Sequence, residues 1–81
     1  MINNRKLARE WLARSTKTEF NNVIEESNIT DKQREIVLLK FLRGHSNIQI
    51  SLELHCSVET IRDEMARAYD KVYKVIKGGI I

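Results

Sequence analysis

The 81-residue sequence predicts an all-α fold of about five helices, and three observations carry that prediction. There is no proline and there are only three glycines, so little interrupts a helix. Aromatic and β-branched residues never alternate over a strand-length window. A hydroxyl residue stands three positions before a glutamine at Thr30–Gln33 and again at Ser46–Gln49, the pattern of a reciprocal helix N-terminal cap.

The elements follow in order. The first helix covers about residues 4–15, with Leu7, Ala8, Trp11 and Leu12 as its apolar face. The second covers about 17–27, with Phe20, Val23 and Ile24 inward, and Asn28 stops it. Thr30 caps a third helix that ends near Arg43, with Gly44 at the C′ position. It carries Ile36, Val37, Leu38, Leu39, Phe41 and Leu42, apolar almost all round, so it is the expected buried centre. The fourth spans about 47–54. The fifth spans about 58–77, long for so small a domain, and Gly78-Gly79 ends it. No linker or repeat divides the chain, so residues 1–81 read as one domain. Residues 1–28 supply two N-terminal helices and 30–77 a helix-turn-helix core.

That core is legible in SNIQISLELHCSVETIRDEM, residues 46–65. Ser46 and Gln49 cap its first helix, and Ile50, Ser51 and Leu54 share one face. Ser51 stands where two helices cross closely and a small side chain is needed. His55 falls at the turn, where a positive φ is usual and His is among the residues enriched. Ser57 caps the second helix, whose Val58, Ile61 and Met65 point at the core. Ser57, Glu59, Thr60, Arg62 and Asp63 are left outward on its first turns, as a recognition helix presents them to the major groove. With Asn47, Val58 and Arg67 they make up the candidate DNA-contact set.

Composition bounds the rest. A chain of this size buries roughly 60% of its unfolded surface, so a partner contributes readily to its stability. The longest apolar block is 36–39, so no membrane span and no signal peptide is expected. A single cysteine, Cys56, excludes an internal disulfide and fits a cytoplasmic protein. The net charge is +3, with a pI of about 9.2. Residues 1–16 hold four basic and one acidic residue, while 17–43 and 44–81 each hold five of both. The whole excess therefore sits in the first helix and the recognition half is neutral. Arg5, Lys6, Arg9 and Arg14, with Arg43, are the candidates for phosphate contact.

The segment CSVETIRDEMARAYDKVYK resembles the recognition helix of primary sigma factors. There a Ser or Thr cap is followed by an acidic residue, then Ile-Arg, then an alanine-rich basic continuation. TDKQREIVLLKFLRG resembles the scaffold helix before it. Residues 30–74 as a whole are similar to region 4 of bacterial sigma factors and the wider sigma and LuxR-type helix-turn-helix group. The resemblance implies double-stranded DNA as partner, with Glu59 at the position that accepts from a cytosine amine and Arg62 at one that contacts bases or phosphates. Both roles agree with base-edge chemistry. The sequence departs from the family at Ser51, usually Ala, at His55, usually Gly, and at Cys56, usually aliphatic. The polymerase-holding and DNA-melting regions of a full sigma factor have no counterpart in these residues. The resemblance therefore implies a small phage or mobile-element transcription regulator.

No catalytic constellation is present: there is no Gly-rich phosphate loop, nucleophile elbow or HExxH pattern. An enzyme is not expected, nor any cofactor. His55, Cys56 and His45 fall short of the four ligands of a zinc site. Trp11 reads as a core anchor. Two classes stay open. One is a sequence-specific DNA-binding regulator. The other is a protein-interaction module of the same fold that binds RNA polymerase, a sigma factor or another regulator. A homodimer is expected, with Val72 and the C-terminal half of the last helix in its interface, because Tyr69, Tyr73 and Ile76 widen the apolar surface there. The N-terminal helices, with Trp11, Leu12 and Phe20, are the other available cover for one patch. Ile48 and Leu52 form a second apolar pair.

Overall fold

The computed structural model describes residues 3–78. Among them are five helices: α1 Asn4–Arg14, α2 Lys17–Glu26, α3 Asp31–Phe41, α4 Asn47–Glu53 and α5 Val58–Lys77. Each begins on a side-chain cap. Asn3 Oδ1, Thr16 Oγ1, Thr30 Oγ1, Ser46 Oγ and Ser57 Oγ accept from backbone N–H groups three residues on. Thr16, Thr30 and Ser46 are answered by Glu19, Gln33 and Gln49, which accept from the cap's own N–H. Unpaired amides at five helix starts are thereby satisfied in a chain too small to bury them otherwise.

The helix centre of the fold is α5, not α3 as the apolar run suggested. Each of the other four helices packs on α5. Ile61, Met65, Ala68, Tyr69, Val72 and Val75 are buried along it. On α3 the run is divided: Ile36, Val37 and Leu39 are buried, Leu38 and Phe41 are half-buried, and Leu42 is 44% exposed. At 20 residues against 11 for α3, α5 offers a stripe on which several short helices can each bury a face, and that decides which is central. Phe41 links the layers, its ring 6.1 Å from Phe20 and 6.3 Å from Tyr69. Ile36, Ile50 and Ile61 are fully buried. Truncating any of them to alanine costs about 2–5 kcal/mol.

The helix ends differ slightly from expectation. Asn28 has φ 53° and stops α2. At the end of α3 the reversal comes later than the C′ position. Leu42 caps the helix, the Arg43 N–H reaches back to Leu38 O at 3.2 Å, and Gly44 then turns with φ 70°. Gly78 caps α5 with an ordinary φ of −72°, and Gly79 lies outside the described residues.

α1 lies along α5. Arg5 donates to Asp70 through Nε at 2.9 Å and a terminal nitrogen at 3.0 Å. Ala8 and Leu12 are buried beneath it, and Trp11 packs against the core. This corrects the dimer surface read from the sequence. Tyr69 and Val72 are inside the chain's own core, and Tyr73 and Ile76 are half-buried against it. The apolar surface on the C-terminal half of α5 is covered by the N-terminal helices. Ile48 and Leu52 stay open, at 62% and 71% exposure.

Candidate nucleic-acid interface

α4 and α5 meet through a turn whose chemistry is local. α4 ends at Glu53, and Leu54 caps it. His55 takes φ 56°, and the Cys56 N–H closes on Ser51 O at 3.0 Å. A left-handed residue followed by a bond back over five residues is a Schellman end, and it swings the chain sharply into Ser57. Ser51 is buried at this crossing, its hydroxyl donating to Ile48 O at 2.7 Å, so no larger polar group fits. Ile50 and Ile61 lock the two helices from inside.

On the outer side, Glu59, Arg62 and Asp63 are exposed on the first turns of α5, and Arg67 follows one turn later with a 3.4 Å contact to Glu64. Ser57 accepts from the Thr60 N–H at 3.0 Å, and the two hydroxyls are 2.9 Å apart. These two candidate contacts are thus engaged in capping, while Glu59, Arg62 and Asp63 hold no hydrogen bond or ion pair among the described residues. Val58 is half-buried. Asn47 is half-buried at the start of α4, where its Oδ1 accepts from Lys40 Nζ at 3.3 Å.

The basic residues divide into groups. Arg5 and Arg9 of α1 and Lys40 of α3 meet Asn47 and Arg62 around an open hollow of about 260 Å³, floored by Met65, Ala66 and Tyr69. The recognition half, neutral in sequence, therefore has the surplus charge of α1 set against its flank. Lys6 borders a neighbouring hollow with Asn3, Arg5 and Arg9. Arg14 is not part of the group: it lies beside Trp11, Glu10 and Glu19. Nor is Arg43, which borders a groove with Leu38, Leu42, Glu35 and Glu53. Lys40 was missed in the sequence reading. Its signal is that it is the one charge inside the apolar run 36–42.

Burial pushes the Tyr69 phenol up to about 12, with the nearby Arg9 charge opposing the shift. The hydrogen bond from Arg5 holds the Asp70 carboxyl below the usual carboxylate range, against a smaller opposing effect of burial. Among the described residues no three His, Cys, Asp or Glu side chains gather as a metal site requires, and no helix is long and apolar enough to cross a membrane. His45 lies 3.7 Å from Glu53, on the far side of the turn from Cys56 in sequence, and its Nδ1 is buried without a partner.

A short capped helix, a left-handed turn closed on a small buried residue, and a second helix with its first turns exposed define a helix-turn-helix protein. Residues 28–72 match the family model Sigma-70, region 4, and the chain belongs to that DNA-binding helix-turn-helix family. No curated protein and no solved structure matches the chain significantly. The matched span leaves out both α1 and α2, so the helix that carries the surplus charge lies outside the family core.

Proposed function

We propose that the protein is a sequence-specific DNA-binding transcription regulator that reads the major groove with the first turns of α5, and that it is not an enzyme. The observation that carries this is the exposed trio Glu59, Arg62 and Asp63. They sit on a helix fixed by Ser57 at its cap and by Ile61 and Met65 behind, so the reading face is held while its side chains stay free. Carboxylates suit cytosine N4, and Arg suits guanine O6 and N7. Such a protein works in the cytoplasm, and its small sigma-like core fits a phage or mobile-element regulator. The test is selection of duplexes from a random-sequence pool, followed by variants. Arg62→Ala should lower specific affinity by roughly 1–3 kcal/mol and relax discrimination at one base pair, with the fold intact. Equal affinity and equal discrimination by a folded Arg62→Ala chain would remove α5 from the reading.

A second reading has its own support. The groove between the start of α2, α3 and α4 is floored by Leu38, Leu39 and Leu42 and rimmed by Lys17, Glu35, Arg43 and Glu53. An apolar floor with a rim of both signs is the make-up of a protein-protein contact. In this reading RNA polymerase, a sigma factor or another regulator docks there. Leu42→Glu should abolish that association while leaving duplex binding unchanged, as read by co-purification and gel shift.

A further inference from the structure

We propose that the hollow between α1, α3 and α5 seats a backbone phosphate of bound duplex DNA, with Arg9 and Lys40 as the phosphate-binding residues. The inference rests on the DNA-binding reading above. It assigns α1, which lies outside the family core, a share in the same interface.

Four observations converge on an anion. Arg5, Arg9, Lys40 and Arg62 come from three helices and surround one hollow, and among the described residues lining it there is no carboxylate. Arg5 is matched by Asp70, but Arg9 and Arg62 have no carboxylate within ion-pair reach among the described residues, and Lys40 touches only the Asn47 amide. Like charges held together without a counter-ion raise the local potential, which a phosphate oxyanion relieves. At the floor, Tyr69 is 8% exposed, and its hydroxyl has no hydrogen-bond partner among the described residues. It remains a protonated donor at neutral pH. The other hollows contrast with this one. Arg14 shares its hollow with Glu10 and Glu19, and Arg43 shares its groove with Glu35 and Glu53.

Position selects the source of the phosphate. Arg62 belongs both to the hollow and to the exposed face of α5, and Ala66 continues the floor one turn on. A duplex placed with its major groove over Glu59 and Arg62 runs its flanking backbone past that edge. Phosphate contacts of this kind fix register and carry no sequence information.

The experiment measures duplex affinity against salt for the wild type, Arg9→Gln, Lys40→Gln and the double variant, on a selected duplex and a scrambled one. Arg14→Gln serves as the charge-matched control. The double variant should reduce the slope of log affinity against log salt by about 0.9 and each single variant by part of that, and all should weaken both duplexes alike, by up to roughly tenfold near 0.1 M salt. Arg14→Gln should leave the slope unchanged. Arg9→Lys and Lys40→Arg should keep the wild-type slope, which separates charge from fold. Wild-type slopes in folded Gln variants, or an equal drop in Arg14→Gln, would overturn the site while leaving α5 as the reader. Variants that keep the slope but lose phosphorus-31 line broadening of inorganic phosphate would assign the hollow to a free phosphate ester and overturn the DNA role. A wild-type chain that holds no duplex at low salt would overturn both readings.

Discussion

His55 shows how one residue sets a motif. It occupies the left-handed region at φ 56°, where a Cβ costs roughly 1–2 kcal/mol. The turn keeps that conformation because the Cys56 N–H bond to Ser51 O closes it and buried Ile50 and Ile61 hold both sides. His55→Gly should therefore stabilise the fold. The relief of strain is partly offset by the greater freedom glycine gives the unfolded chain, leaving a gain of about 0.5–1 kcal/mol. Thermal melts decide it, and a lower melting temperature would mean that the imidazole contributes a contact of its own. Gly44 is the converse. An added Cβ meets nothing within 4 Å, so only its φ of 70° resists substitution. Gly44→Ala should cost roughly 1–2 kcal/mol and Gly44→Asn clearly less, since Asn tolerates the left-handed region.

Between elements, the contact of α1 with α5 carries most of what is particular to this chain. Its ion pair is solvent-exposed, so it orients α1 more than it stabilises the fold. The sign of its pH dependence is fixed by Asp70. A carboxyl held below its ordinary value contributes stability that is present above the unfolded value of about 3.9 and is lost as pH falls through the folded one. Asp70→Asn should melt slightly below the wild type at pH 6, and the difference should vanish as both are acidified well below pH 4. A difference that persists in acid would mean that the carboxylate charge is not the cause. Tyr69 acts at the other end of the scale. Its phenol is pushed up to about 12, so it favours the fold up to the ordinary value near 10 and withdraws that support as pH rises towards 12. At the α4–α5 crossing, Ser51 leaves no room, and Ser51→Leu should cost about 1–3 kcal/mol by overpacking. An unchanged melting temperature would mean that the crossing is looser than its burial implies.

For the whole molecule, self-association now depends on a smaller surface than the amphipathic pattern suggested. The stripe on the last half of α5 is closed within the chain, and among the described residues Ile48 and Leu52 of α4 are the large apolar side chains left most open. We expect a homodimer, if one forms, to bury that pair. Sedimentation equilibrium at micromolar concentration should then give a mass above 9.5 kDa that falls to the monomer value in Leu52→Glu. A wild-type mass of one chain would leave the pair free for another partner. The same closure moves charge. The excess of basic residues, confined to residues 1–16 in the sequence, becomes part of the flank of α5 because α1 folds back on it.

What the sequence by itself determined was local: five helices, the caps at Thr30, Ser46 and Ser57, the stop at Asn28, the turn at His55 and the exposed first turns of α5. Each follows from a few neighbouring residues, since caps, left-handed turns and helical periodicity act over three to five positions. What only the tertiary structure decided was pairing across distance. Apolar periodicity marks a face but not which face covers it, so Tyr69 and Val72 looked available until α1 was seen over them. Nor does a charge count along the chain say that Arg9, Lys40 and Arg62 meet, because residues 31 and 22 positions apart converge only when α1, α3 and α5 pack together.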